Sequence, residues 1–120
     1  MQGARYKELI AYQKSFDLVK KIYTLTSDFP KEEKYGVVSQ LRRAVVSIPV
    51  NMAEGYMRGS REYLQFLKIS LGSSAEVETL LALSQELKFC DVKRVDEIQF
   101  LNTEVTKLLI TYIHRLTDHH

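Results

Sequence analysis

No stretch of the chain reaches the roughly eighteen consecutive apolar residues that a membrane-crossing helix needs, so no span is expected. The first eight residues, Met-Gln-Gly-Ala-Arg-Tyr-Lys-Glu, contain no apolar run and do not read as a signal peptide. A single cysteine, Cys90, excludes an internal disulfide and any cysteine-rich zinc site, and suits a reducing cytoplasm. Only two prolines and five glycines interrupt the chain, and neither an internal repeat nor a low-complexity segment is present. With 45% hydrophobic residues, the 120-residue chain has enough apolar side chain to order itself, and it reads as one domain spanning 1–120. The terminal His119-His120 pair is either native or a tag remnant and is left out of site reasoning.

What is present is helical periodicity. A first helix is expected over Tyr6 to Ser27, with Leu9, Gln13, Phe16, Val19, Tyr23 and Thr26 as its core stripe, widened by Ile10 and Ile22. Phe29-Pro30 stops it, because a residue before proline is pushed out of the α region. A second helix is expected from Glu33 to Gly55, its stripe Val37, Leu41, Ala44, Ile48 and Met52 staying in phase across Pro49. Proline there removes one backbone hydrogen bond and crowds the carbonyl of Val45, which predicts a kink and not a break. Gly55 and Gly59 read as its stop and turn. Ser60 reads as the N-cap of a third helix, Arg61 to Phe89, carrying Leu64, Leu67, Leu71, Ser74, Val77, Leu81 and Ser84 inward. Within it, Gly72-Ser73-Ser74-Ala75 points to a close helix contact at Gly72, since a mid-helix glycine otherwise costs about 1 kcal/mol relative to alanine. Asp91 caps a fourth helix, Val92 to Thr117, with Ile98, Leu101, Val105, Leu108, Tyr112 and Ile113 inward and Phe100 and Leu109 flanking. The fold class that follows is all-α: an antiparallel up-down-up-down four-helix bundle with a Pro-kinked second helix.

Apolar residues also fall outside these stripes. Val46 and Val50 do so on the second helix, Tyr63, Phe66, Ile69 and Leu80 on the third, and Phe100 and Ile110 on the fourth. A monomeric bundle needs one apolar stripe per helix, so a second surface predicts self-association.

Charge is unevenly placed: eleven Lys and Arg against six Asp and Glu up to Arg61, then six against nine. Such asymmetry fits either an acidic partner such as nucleic acid or mutual complementation of helices and subunits. Gln40, Arg43, Ser47, Asn51, Glu54 and Arg58 recur at helical spacing along the second helix and share a face. Two readings stand. In one, Gln40, Arg43, Ser47, Asn51 and Glu54 form a structural polar network, Arg43 pairing with Glu54 or a partner carboxylate and Asn51 serving backbone freed by Pro49. In the other, Arg42, Arg43, Arg58 and Arg61 contact phosphate, extended by Lys20 and Lys21 and by Lys7 and Lys14.

Catalytic constellations are missing. His114 is the only internal histidine, and Cys90 has no base beside it in sequence. The paired Glu-x-x-His motifs of a bundle di-metal site do not occur, and Gly55 and Gly59 lack the lysine of a phosphate loop. No enzyme activity, catalytic residue, metal or cofactor is therefore expected.

The run Gln40-Leu-Arg-Arg-Ala-Val-Val-Ser-Ile-Pro-Val-Asn-Met-Ala-Glu-Gly55 resembles the bacterial 23S rRNA intervening-sequence proteins. Ile22-Tyr23, Phe29-Pro30, Tyr35-Gly36, Phe66-Leu67, Gly72-Ser73 and Glu76-Val77-Glu78-Thr79 extend the likeness to about Leu9–Leu109. Val45, Met52, Ser70 and Val77 are mild departures from the usual pattern. The chain is also similar to the accessory variability protein of diversity-generating retroelements. These resemblances imply a homopentameric four-helix bundle, with RNA or DNA and a reverse transcriptase as possible partners. The family's name describes gene location and not an activity.

Overall fold

A computed structural model describes Tyr6 and residues 9–118. Four helices, α1 (Ile10–Thr26), α2 (Val37–Arg58), α3 (Ser60–Glu86) and α4 (Val92–Asp118), follow one another with short connections. The described chain measures 45 × 21 × 20 Å. A 27-residue helix is about 40 Å long, so the helices lie along the long axis. Each packs on its neighbours in the cycle α1–α2–α3–α4–α1, and the backbones of the diagonal pairs stay further apart. This is the four-helix bundle that the periodicity predicts.

The centre holds Leu18, Ile22, Leu25, Leu41, Val45, Ile48, Met52, Leu67, Val77, Leu81, Val95, Val105 and Leu109, all essentially without solvent contact. In α2, Leu41, Ala44, Ile48 and Met52 of the expected stripe are buried, joined by Val38, Val45, Pro49 and Gly55, while Val37 is only partly covered. In α3 it is close to it, with Leu80 moved from the second surface into the core. In α4, Leu109 and Asn102 are buried, while Leu101 and Leu108 are only partly covered.

α1 is the correction. Its buried residues are Ala11, Ser15, Leu18, Ile22, Leu25 and Thr26. Phe16, Tyr23, Ile10 and Gln13 of the expected stripe are exposed. Both stripes have helical spacing. The small side chains of Ala11 and Ser15 decide the packing, since they let the helix sit close to its neighbours. Residues 7 and 8, where this helix was expected to continue, lie outside the described residues, as do Lys7 and the His119-His120 pair.

Ends and turns differ in detail. Residues Lys31–Glu33 form a separate 3-10 turn, and α2 starts later than expected, its Val37 N–H donating to Glu33 Oε1 at 3.5 Å. That carboxylate suits the positive end of the helix dipole. α2 runs unbroken through Pro49 and past Gly55 to Arg58. Gly59 alone makes the turn, at φ 114°, a left-handed value that glycine adopts readily. Ser60 is therefore the first helical residue of α3 and makes no capping bond. Asp91 caps α4 as expected, accepting from Arg94 N–H at 2.9 Å.

The close helix contact falls at Gly55 and not at Gly72. A Cβ on Gly55 would lie 2.4 Å from Phe66 Cβ, so this glycine sits at a close contact of α2 with α3. A Cβ on Gly72 would meet nothing within 4 Å, so the close contact expected there does not exist within the chain.

Candidate nucleic-acid and assembly surfaces

α2 carries different chemistry on its two flanks, and the helical repeat explains why. Ser47, Asn51 and Arg58 fall on the side of α3, whereas Val46, Pro49, Val50, Ala53 and Met57 fall on the side of α1.

Toward α3, Asn51 Nδ2 donates to both the carbonyl and the hydroxyl of Ser47, each at 2.8 Å. Ser47 Oγ in turn shares a 2.8 Å hydrogen bond with Ser73 Oγ of α3. Ser70 Oγ donates to the carbonyl of Ile48 at 2.9 Å, immediately before Pro49. Ser47 and Asn51 thus come together, with Ser70 and Ser73 as members that sequence reasoning missed. The seryl run in α3 was the available signal. Asn51 serves the carbonyl of Ser47 and not that of Val45, which proline leaves without its usual donor.

The remaining members of the polar row stand apart. Glu54 pairs with Arg58 at 2.6 Å, one helical turn on, and not with Arg43. The Arg58 guanidinium also lies 5.0 Å from the Phe66 ring. Gln40 and Arg43 are exposed, and neither side chain makes a hydrogen bond among the described residues.

The basic residues separate in the same way. Arg42 is half-buried: its Nε donates to Thr26 Oγ1 at 3.0 Å and a terminal nitrogen to the Tyr23 carbonyl at 3.3 Å. Its guanidinium lies 4.4 Å from the Tyr23 ring. A cation on the last carbonyls of α1 complements the negative end of that helix, so Arg42 works for the fold. Lys20 pairs loosely with Asp17 at 3.8 Å, and Lys14 joins Glu104 of α4 at 3.4 Å. Arg43, Arg61 and Lys21 are exposed with no salt bridge among the described residues. Of the residues expected to contact phosphate, these three are the ones with no partner among the described residues.

Toward α1, an open groove of about 550 Å³ runs between α1 and α2. Tyr12, Phe16 and Val19 line one wall and Val46, Val50 and Met57 the other, with Lys20 and Glu54 at the edge. Phe16 is 50% and Val50 52% exposed. A shallower continuation past Val46 and Val50 reaches Tyr23, Arg42 and Arg43. Val46 and Val50 were recognised in the sequence as a second apolar surface. Phe16, Val19 and Tyr23 were placed in the core, and Met57 was not singled out.

At the groove's end Tyr6 packs on Tyr12 and Tyr56, with ring centroids 5.3 and 5.7 Å apart, and Tyr56 meets Tyr63 edge-on at 5.4 Å. Burial first, then the neighbouring Tyr112 and Tyr56, push the Tyr63 phenol up to about 12. Burial likewise raises the Cys90 thiol, which makes it a weaker nucleophile at neutral pH. Among the described residues no three of His, Cys, Asp and Glu gather as a metal ion would require, and no helix is long and apolar enough to cross a membrane.

These features define a helical bundle with a filled core and a second, uncovered apolar face with Arg43 free at its border. Residues 7–111 match the 23S rRNA-intervening sequence protein family, and the chain belongs to it. A crystal structure from Bacteroides thetaiotaomicron VPI-5482, of a protein with unknown function from the S23 ribosomal protein family, superposes with a TM-score of 0.81. It is 25% identical, and the match covers 88% of this chain and 96% of that one. No curated protein matches the chain.

Proposed function

We propose that the chain is a non-enzymatic, self-associating accessory protein that binds nucleic acid, RNA foremost, in the bacterial cytoplasm. The pentamer is the assembly that its sequence resemblance favours. The observation that carries the reading is the uncovered groove between α1 and α2 with Arg43 free at its border. An apolar face of this kind calls for a protein neighbour. Arg43 beside it then remains to meet phosphate, which needs no base-specific geometry.

The test is RNA binding by fluorescence anisotropy across a salt series. Affinity should fall steeply as salt rises, and each phosphate-contacting side chain removed should lower the slope by about one unit. Arg43→Ala combined with Arg61→Ala should flatten it by about two units, whereas Lys31→Ala should change it little. Absence of binding at low salt, or binding indifferent to salt, overturns the electrostatic reading.

A second reading, a scaffold that docks a partner enzyme such as a reverse transcriptase, draws on Phe100. This ring is 69% exposed on α4, away from the groove. Retention of a purified reverse transcriptase on the immobilised protein after nuclease treatment, lost in Phe100→Ala, would favour this reading.

A further inference from the structure

We infer that the seam between α3 and α4 binds a small electropositive ligand, a monovalent cation or the hydrogens of a bound water, held by Asn102 Oδ1 and Gln99 Oε1. Asn102 is 2% exposed, and its Nδ2 donates to the carbonyl of Ser74 at 2.9 Å. One turn earlier on α4, Gln99 Nε2 donates to the carbonyl of Glu78 at 3.0 Å. A carbonyl only accepts, so each carboxamide must turn its nitrogen to α3 and its oxygen elsewhere. Flipping either one would set oxygen against oxygen. Both carboxamide oxygens are shut off from solvent and meet no donor among the described residues. A buried acceptor in that state is costly. Residues three apart on a helix are neighbours, so one ligand can serve both oxygens.

A cavity of about 160 Å³ lies against the same seam. Ser74 and Glu78, whose carbonyls hold the two amides, line it from α3, and Thr103 and Thr106 line it from α4. Water fills about 30 Å³ per molecule in the liquid, so several waters, or a cation with part of its shell, have room. Glu78 and Thr103 are exposed, which gives the ligand a way in from the surface.

The sign of the ligand follows from what its neighbours have left to offer. Ser74 Oγ already donates to the Leu71 carbonyl at 2.7 Å. Thr106 Oγ1 lies 3.1 Å from Ser74 Oγ and 2.9 Å from the Asn102 carbonyl, so its hydrogen is engaged too. Glu78 makes no ion pair among the described residues, and its carboxylate favours a cation over an anion. Uncharged oxygens beside a carboxylate are the ligand set of a hard cation or of water.

The test follows the side-chain amide signals of Asn102 and Gln99 by NMR in the labelled full-length protein, at fixed ionic strength in potassium, ammonium or tetramethylammonium chloride. A bound cation should shift both signals saturably in potassium or ammonium and not in tetramethylammonium, whose methyl groups keep its charge from the oxygens. A bound water should instead give both amides a direct cross-relaxation peak to solvent in every salt, with the sign of a long-lived contact. Thr106→Val removes a neighbouring hydroxyl and should leave that peak in place. Absence of both responses in the parent overturns the site, as does a solvent peak that Thr106→Val abolishes. Asn102→Leu, its fold checked by circular dichroism, should abolish the Gln99 response. Gln99→Met should abolish the Asn102 response, and it decides the matter where Asn102→Leu does not fold. A response at either amide that survives loss of the other overturns the shared site.

Discussion

The two flanks of α2 present opposite solutions to packing. Against α3 the helix is small and polar: Gly55 lies under Phe66, and Ser47, Asn51, Ser70 and Ser73 exchange short hydrogen bonds. Against α1 it is bulky and apolar, and the space remains open. α1 repeats the contrast, with Ala11 and Ser15 inside and Phe16 and Tyr23 outside. In this bundle the close seams belong to small residues, because there is no room for larger ones. The large apolar residues that do not fit become an outer surface.

The strongest way to break the comparison is to add volume where the seam is closed. Gly55→Ala should cost about 1–3 kcal/mol, since Phe66 Cβ and the backbone at Tyr63 must shift. Urea unfolding should show a lower midpoint with an unchanged slope. Next comes the polar link. Ser47→Ala removes the bridge between Asn51 and Ser73 and should cost about 1 kcal/mol, read as a lower melting temperature.

The same alanine placed at Gly72 sharpens the contrast by reversing the sign. Gly72→Ala should raise protomer stability by up to about 1 kcal/mol, because the new methyl meets nothing. A loss there would mean that the outer face of α3 is constrained within the protomer.

The smallest effect is one of pH. Tyr63 ionises near 10 in the unfolded chain and near 12 in the folded one. Between those values the unfolded chain binds fewer protons, so stability should decline as pH rises from about 10. Tyr63→Phe should flatten that decline in a melting series, and an unchanged slope would assign it to other groups.

The helix number, the cap at Asp91 and passage of α2 through Pro49 were legible because each rests on local chemistry: periodicity, a carboxylate at a helix start, and an apolar stripe that stays in phase. The face of α1 was not legible. Two stripes of equal spacing competed, and the choice depended on how closely α2 and α4 approach. Gly55 was read as a helix stop, and Gly72 meets no neighbour within the chain, for the same reason: a glycine's role depends on what lies across from it. The polar row of α2 separated because one helix face spans two environments. Ser47 and Asn51 face α3, whereas Arg43 reaches water.

Gly59 carries a consequence for how the chain acquires its shape. A single residue joins α2 to α3, so their ends need almost no search to meet, and loop-closure entropy between them is close to its minimum. The Gly55–Phe66 contact spans only eleven positions, and Ser47–Ser73 spans 26. Ala11 and Tyr112, by contrast, are 101 positions apart. The α2–α3 hairpin should therefore form first, with α1 and α4 closing over it later. Substitutions along the hairpin seam should slow refolding, and those between α1 and α4 should chiefly speed unfolding. During synthesis, the seam is therefore expected to be in place before α4 leaves the ribosome.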